Sequence, residues 1–191
     1  MKNEKTDRRV RYTKMVLKQS LINLLREKSI TKISVKEICE EADINRATFY
    51  AHYTDQYALL SSIEKEFIDD INQYLNNCPF NENESETLQV MFKLFEYIRE
   101  NSELCSVLLG ENGNSDFPRD VMLIFQRQFA SEWTSKKMIK RMDAEYIFSY
   151  TAIGSMGLIQ IWLRDGMKKS AREMAEFITK LTNQGLNAFI L

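Results

Sequence analysis

Between positions 45 and 56 the chain carries Asn45, Arg46, Ala47, Thr48, Tyr50, His52, Thr54 and Gln56, with Ser34 and Lys36 a short way upstream. A guanidinium can hold two acceptors at once, and a threonine offers a hydroxyl and a methyl together. An amide or a phenol donates without carrying charge. No pair in this set is a nucleophile with its base. His52 is the only histidine of the chain, so acid–base or metal work lacks a second partner. No phosphate loop, metal-ligand spacing or nucleophile elbow occurs elsewhere, which argues against an enzyme. The chemistry that remains is recognition, with donors offered to base edges and phosphate oxygens.

Two short helices must position these groups. Val35, Ile38, Cys39 and Ala42 repeat at helical spacing and give one narrow apolar stripe. Ser34 stands where an N-cap belongs, and Glu37 three residues on completes a capping box. Asp43-Ile44-Asn45 breaks the helix in a tight corner plugged by Ile44, and Asn45 can cap a second helix from Arg46. Phe49 and Tyr53, four apart, would pin that helix to the first and leave Arg46, Thr48, Tyr50 and His52 on other sides. This is the layout of a helix-turn-helix. In it Arg46 suits guanine O6 and N7 or a phosphate, Thr48 suits thymine, and Ala47 permits close approach. Tyr50 can stack on a sugar or donate to phosphate. Ser34 and Asn45 sit at helix N-termini, which are phosphate seats, and His52 and Thr54 are further phosphate candidates.

The run Thr31-x-x-Ser34-Val35-x-x-Ile38, then Ala42-Asp43-Ile44-Asn45-x-Ala47-Thr48-Phe49-Tyr50-x-His52-Tyr53-x-Asp55, then Leu59-Leu60, resembles the DNA-binding signature of TetR-type (TetR/AcrR) transcriptional regulators. Two positions depart from it. The family usually has Gly where Asp43 stands and a phosphate-binding Lys where Gln56 stands; Gln56 can still donate a hydrogen bond but brings no charge. The resemblance implies an all-α fold of about nine helices. A three-helix DNA-binding domain at 1–55 would precede a larger helical domain at 56–191 for effector binding and dimerisation. It also implies a homodimeric repressor, released from a palindromic double-stranded DNA operator by a small-molecule effector. A join of the IQIWLRDGMKKS type before the last helix is similar to one subgroup of TetR-type ligand domains, and in the family the final helix pair builds a four-helix bundle across a two-fold axis.

Composition agrees with a helical, folded chain. Of 191 residues 44% are hydrophobic, with two Pro and six Gly, and no Gly precedes Gly110. Residues 1–36 hold 11 Lys/Arg against 3 Asp/Glu, while residues 56–191 hold 14 against 19. That asymmetry suits a nucleic-acid-facing end joined to an acidic body. Lys2, Lys5, Arg8, Arg9 and Arg11 read as a frayed basic arm that either reaches phosphates or solubilises the terminus. Cys39, Cys78 and Cys105 have no metal spacing. No cofactor is expected. With no signal peptide and no 18-residue apolar run, a cytoplasmic protein without membrane contact is expected.

Helices are expected over about 9–28, 57–75, 85–100, 102–108, 119–136, 146–164 and from Ser170 onward, beside the two of the motif. The first should bury Val10, Met15, Val16, Leu17, Leu21, Ile22, Leu24 and Leu25, and the 57–75 helix should connect the reading end to the body. Phe67, Ile71, Phe92, Phe95, Phe125, Phe129, Tyr150 and Trp162 could line an effector pocket, although each also suits plain core packing. The 146–164 helix is apolar on more than one side, so burial against a second copy is expected there. Ile153, Gly157, Ile161, Phe177, Leu181 and Phe189 are the expected dimer contacts. Lys136, Lys137, Lys140 and Arg141 read as a helix end and solvated loop. Two other readings stay open: control by a protein partner bound to the body, and activation in place of repression.

Overall fold

The computed structural model describes residues 2–76, 84–110, 112, 114, 116–124 and 141–187. Phe125, Phe129, Phe189, Cys78, Lys136, Lys137 and Lys140 lie outside the described residues. Nine α-helices occur among those described, with no strand. They are α1 (Lys2–Glu27), α2 (Val35–Glu41), α3 (Arg46–Tyr50), α4 (Gln56–Asn76), α5 (Glu84–Glu100) and α6 (Ser102–Leu108), then α7 (117–124), α8 (Arg141–Arg164) and α9 (Ala171–Asn187). A 3-10 turn at Ile30–Lys32 joins α1 to α2. The all-α expectation is met.

Three boundaries differ from the sequence reading, two of them for the same reason. Helix α1 begins at Lys2 and not near Arg9, and α8 begins at Arg141 and not at Tyr146. Both added stretches lack Gly and Pro and consist mostly of good helix formers, so nothing stops the helix where its apolar stripe ends. Helix α7 opens at 117 because Phe117 is buried and Asp116 accepts the Asp120 N–H at 3.1 Å.

The chain divides into two compact units, 1–67 with 107–115 and 68–106 with 116–191. The first buries Leu17, Leu21, Ile22 and Leu25 of α1 together with Ile38, Cys39, Phe49, Leu59 and Ile63, with α1 against α2 and α2 against α3. Val10, Val16 and Leu24 are only half-buried, and Met15 is exposed, contrary to expectation. The segment 107–115 returns to this unit with Val107, Leu108 and Leu109 buried, and the Ile30 N–H donates to the Asn112 carbonyl at 3.0 Å. Two ion pairs frame the unit: Lys18 of α1 to Glu66 at 2.9 Å, and Lys28, just past the end of α1, to Glu37.

In the second unit α5 packs against α9, and α8 against α9. Its core holds Ile71, Leu75, Leu94, Phe95, Trp162, Met174 and Ile178. Phe95 and Trp162 meet edge to face at 5.4 Å, and the Trp162 Nε1–H donates to the Lys169 carbonyl at 2.8 Å. Tyr97 donates to Asp70 at 2.9 Å, and burial followed by that carboxylate keeps its phenol protonated far above the usual range. Ser170 and Glu173 form a capping box that starts α9, with the Ser170 N–H to carboxylate bond at 2.7 Å.

Residues Glu145–Arg164 of α8 form a stretch long and apolar enough to cross a membrane, at a mean hydropathy of 1.2, and 17% of its most apolar window is buried. The sequence reading found no such run because Ser149, Thr151, Ser155 and Gln160 interrupt it. Averaged over the window, the apolar residues still dominate.

Candidate nucleic-acid interface

Ser34 starts α2 with a complete capping box. Its hydroxyl accepts the Glu37 N–H at 3.3 Å, while its own N–H and hydroxyl donate to Glu37 Oε2 at 2.9 and 2.8 Å. The Lys28 ammonium bonds the other Glu37 oxygen. These donors, Lys28 first and Ser34 next, hold the Glu37 carboxyl down at about 2. In the chain alone both Ser34 donors are committed to Glu37, and the residue starts the helix.

The corner after α2 is tight. Asp43 adopts φ 51°, the left-handed conformation in which the resemblance places Gly. The Ile44 N–H closes the turn on the Cys39 carbonyl at 2.9 Å. Asn45 Oδ1 accepts the Ala47 N–H at 2.8 Å and caps α3. Asn45 is thus a cap whose amide NH2 still points to solvent-accessible surroundings, since the residue is exposed.

Helix α3 is only five residues long, and one residue anchors it. Phe49 is 0% exposed and packs against Tyr50 at 5.6 Å and Tyr53 at 5.9 Å between ring centroids. Tyr53 lies past the helix end, half-buried, with its phenol pushed up chiefly by burial. With Phe49 inward, Arg46, Ala47 and Thr48 all face solvent, and Tyr50 is 57% exposed. An exposed guanidinium, methyl, hydroxyl and phenol on one short helix form a face that fits the roughly 12 Å major groove.

Around that face, Lys36 is exposed but shares its charge with Glu40 at 3.6 Å. His52 is half-buried, and Thr54 is exposed with its hydroxyl 3.5 Å from Asp55. Asp55 caps α4 through the Ala58 N–H at 2.8 Å, which makes Gln56 the first residue of that helix. Tyr57, which the sequence reading passed over, is exposed beside it. Burial pushes the Cys39 thiol up, and it pushes that of Cys105 up to about 12, so neither is a nucleophile at neutral pH. Among the described residues no cluster of His, Cys, Asp and Glu could hold a metal ion.

The expected pocket and interface residues fall in different surroundings. Phe67 is buried in the first unit; Ile71, Phe95 and Trp162 are buried in the second, and Phe92 is half-buried there. Tyr150 is not a pocket wall in this structure: it is 82% exposed on α8. It shares the outside of the second unit with Tyr146, Ile153 and Ile161 of α8 and with Phe177 and Leu181 of α9, all exposed. Among the described residues, a Cβ placed on Gly154 or Gly157 would meet nothing within 4 Å.

Comparison with known proteins follows this geometry. Residues 21–63 match the family model described as bacterial regulatory proteins, tetR family, and residues 85–184 match that of a transcriptional regulator C-terminal region. Among curated proteins, the chain is 23% identical over 175 residues to the uncharacterized HTH-type transcriptional regulator YxbF of Bacillus subtilis. That match covers 88% of this chain and 44% of the relative, so the chain spans less than half the length of that protein. Among solved structures, NalD, the secondary repressor of a multidrug efflux pump in Pseudomonas aeruginosa, superposes with a TM-score of 0.72 at 13% identity, covering 92% of this chain and 97% of that one. The dihydroxyacetone kinase operon activator DhaS gives 0.61 at 19% identity, covering 94% and 98%. At such identities the two structures establish the fold.

Proposed function

The chain belongs to the TetR family of bacterial transcriptional regulators, a family of DNA-binding proteins and not of enzymes, and we propose that it acts as a homodimeric repressor that a small-molecule effector releases from a palindromic operator. The observation that carries this reading is the pairing of two exposed surfaces: the polar face of α3, and the apolar face that Tyr150, Ile153, Ile161, Phe177 and Leu181 make on α8 and α9. One short helix reads only a few base pairs, at about 1–3 kcal/mol for each correct pair, which is too little to address a genome. A two-fold dimer reads both halves of a palindrome and adds the energies. The apolar face is the seam such a dimer needs. A subunit seam also accounts for the exposed apolar surface of α8 without a membrane, in keeping with a cytoplasmic protein.

In this division of labour residues 1–55 read DNA, and 56–191 bind effector and hold the dimer. Arg46, Thr48 and Ala47 read bases. Lys36, Tyr50, His52, Thr54, Gln56 and the Asn45 amide contact the backbone. Ile71, Phe92, Phe95 and Trp162 supply apolar surface for an effector within the second unit. An effector acts by binding one state better than the other, with typically about 1–3 kcal/mol of coupling. Selection of genomic fragments by the purified protein tests the reading. Recovery of an inverted repeat protected by two protomers supports it, and enrichment of no duplex over random sequence contradicts it. A second reading, activation, is favoured by the likeness to DhaS, named an operon activator. The position of the recovered site relative to the promoter separates the two.

A further inference from the structure

One carboxylate of the second unit lies against aromatic rings, with no cation to meet it among the described residues. Asp70 and Tyr74 stand one turn apart on α4, beside the buried stripe of Ile71 and Leu75, and both are exposed. Tyr97 of α5 is buried and meets both. Its phenol donates to Asp70 Oδ2 at 2.9 Å, and its ring centroid lies 5.2 Å from that of Tyr74, the planes tilted by 55°. All three residues belong to the second unit.

Burial, and after it Asp70, Cys105 and Tyr74, keep the Tyr97 phenol protonated, so it stays a donor and fixes the carboxylate by one oxygen. The other oxygen, Oδ1, keeps its acceptor capacity. Among the described residues neither Asp70 nor its neighbour Asp69 has an ion-pair partner. Lys93, one turn before Tyr97, is exposed and pairs with neither, and Arg99 is taken by Glu96 at 3.0 Å. Helix α4 ends at Asn76 with no basic residue in its last turn, so no side chain there offsets the negative end of the helix dipole. A carboxylate, a helix C-terminus and the face of an exposed ring all favour a positive charge. One carboxylate is too little for Mg²⁺ or Ca²⁺, which take about six oxygen ligands or more. Aromatic faces suit a cation whose charge is spread over carbon-bearing nitrogen.

We propose that Asp70, Tyr74 and Tyr97 form a binding site for a small organic ammonium ion, with the Asp70 carboxylate as counter-ion and the Tyr74 ring as the face that receives the alkylated nitrogen. Tyr97 holds both in place, the carboxylate by its hydroxyl and the ring by its own. The inference gives the effector a chemical class and so rests on the effector reading above. The site joins α5 to the last turns of α4, a helix whose residues 56–67 belong to the first unit. A ligand held there acts on the helix that continues into the DNA-reading unit.

The test uses the full chain, with choline as the probe and the uncharged alcohol in which carbon replaces the choline nitrogen as its control, each titrated by isothermal calorimetry. Choline is expected to bind saturably, and the alcohol is not. Asp70→Asn and Tyr74→Leu, both at exposed positions, are each expected to weaken choline about two- to fivefold, the range of one exposed ion pair or cation–π contact. The double variant is expected to bind choline no better than the alcohol. Absence of saturable choline binding, or binding of the alcohol as tight as that of choline, overturns the site and leaves the effector reading standing. Choline affinity unchanged in both variants, with circular dichroism showing an intact helical fold, overturns it as well. On a duplex recovered by genomic selection, choline at saturating concentration is expected to lower the affinity of the unmodified protein and not that of the double variant. Saturation at the site without any change in duplex affinity overturns the effector role of the cation.

Discussion

Asp43 occupies a backbone conformation, φ 51°, that L-residues adopt under strain, and glycine adopts it freely. Asp43→Gly is therefore expected to stabilise the first unit by about 0.5–1 kcal/mol, the relief of strain outweighing the added freedom of the unfolded chain. Asp43→Val, β-branched, should destabilise it; urea midpoints in the order Gly, Asp, Val from high to low check this. From Arg46, three residues on, roles divide. Replacing Arg46 or Thr48 by Ala should relax base preference, each lost base contact being worth about 1–3 kcal/mol of discrimination. Lys36→Ala should instead weaken all duplexes alike. Equal losses of preference in both classes would contradict the assignment. Glu37 gives a pH dependence. Its carboxyl titrates at about 2 in the fold against an ordinary 4.5, so its contribution is full above the unfolded value and is lost as pH falls towards 2. Stability should thus drop between about pH 5 and 2 more steeply than in Glu37→Gln. Parallel curves for the two proteins would dismiss this cause.

At the scale of elements, α2 depends on its cap. Ser34→Ala removes the hydroxyl that accepts the Glu37 N–H, and is expected to cost about 1 kcal/mol. Thermal unfolding measures this, and no shift in midpoint would place the cap outside the stability of the unit. That cap was legible in the sequence, as were the corner, the five-residue reading helix and the inward Phe49, because each depends on neighbours within a few positions. The stripe Leu60, Ile63, Phe67 and Ile71 of α4 was legible for the same reason, whereas its end, Tyr74 or Leu75 from the spacing alone, falls to Leu75, with Tyr74 exposed. Helix starts were not. Lys2–Arg8 and Arg141–Glu145 carry no apolar period, and their helicity follows from propensity and from continuity with the packed turns beyond. Ser34 shows a subtler limit: its type suits both capping and phosphate binding, and the capping bonds become visible only in the folded chain. The same holds for Tyr12, Met15, Tyr57 and Tyr150, aromatic or apolar side chains whose exposure depends on tertiary register. The return of 107–115 to the first unit, through buried Val107, Leu108 and Leu109, has no local signal at all.

At the scale of the molecule, the proposed function turns on pairing. Ile153 is 71% exposed in a single chain, and Leu181 stands exposed with it. An uncovered apolar face of this kind marks an interaction site. Ile153→Asp, or Leu181→Asp, should leave each chain folded, because neither side chain supports its own core, yet should yield monomers with weakened operator affinity. Sedimentation velocity reads the first effect and duplex titration the second; dimers that persist in both variants would move the seam elsewhere. The most direct measurement is the mass of the complex formed at micromolar protein with the duplex recovered by genomic selection. Two protomers on one inverted repeat, its half-sites about 34–36 Å apart or a multiple of that, are expected. A lone subunit in solution that holds the selected duplex no more firmly than a random one would contradict the account.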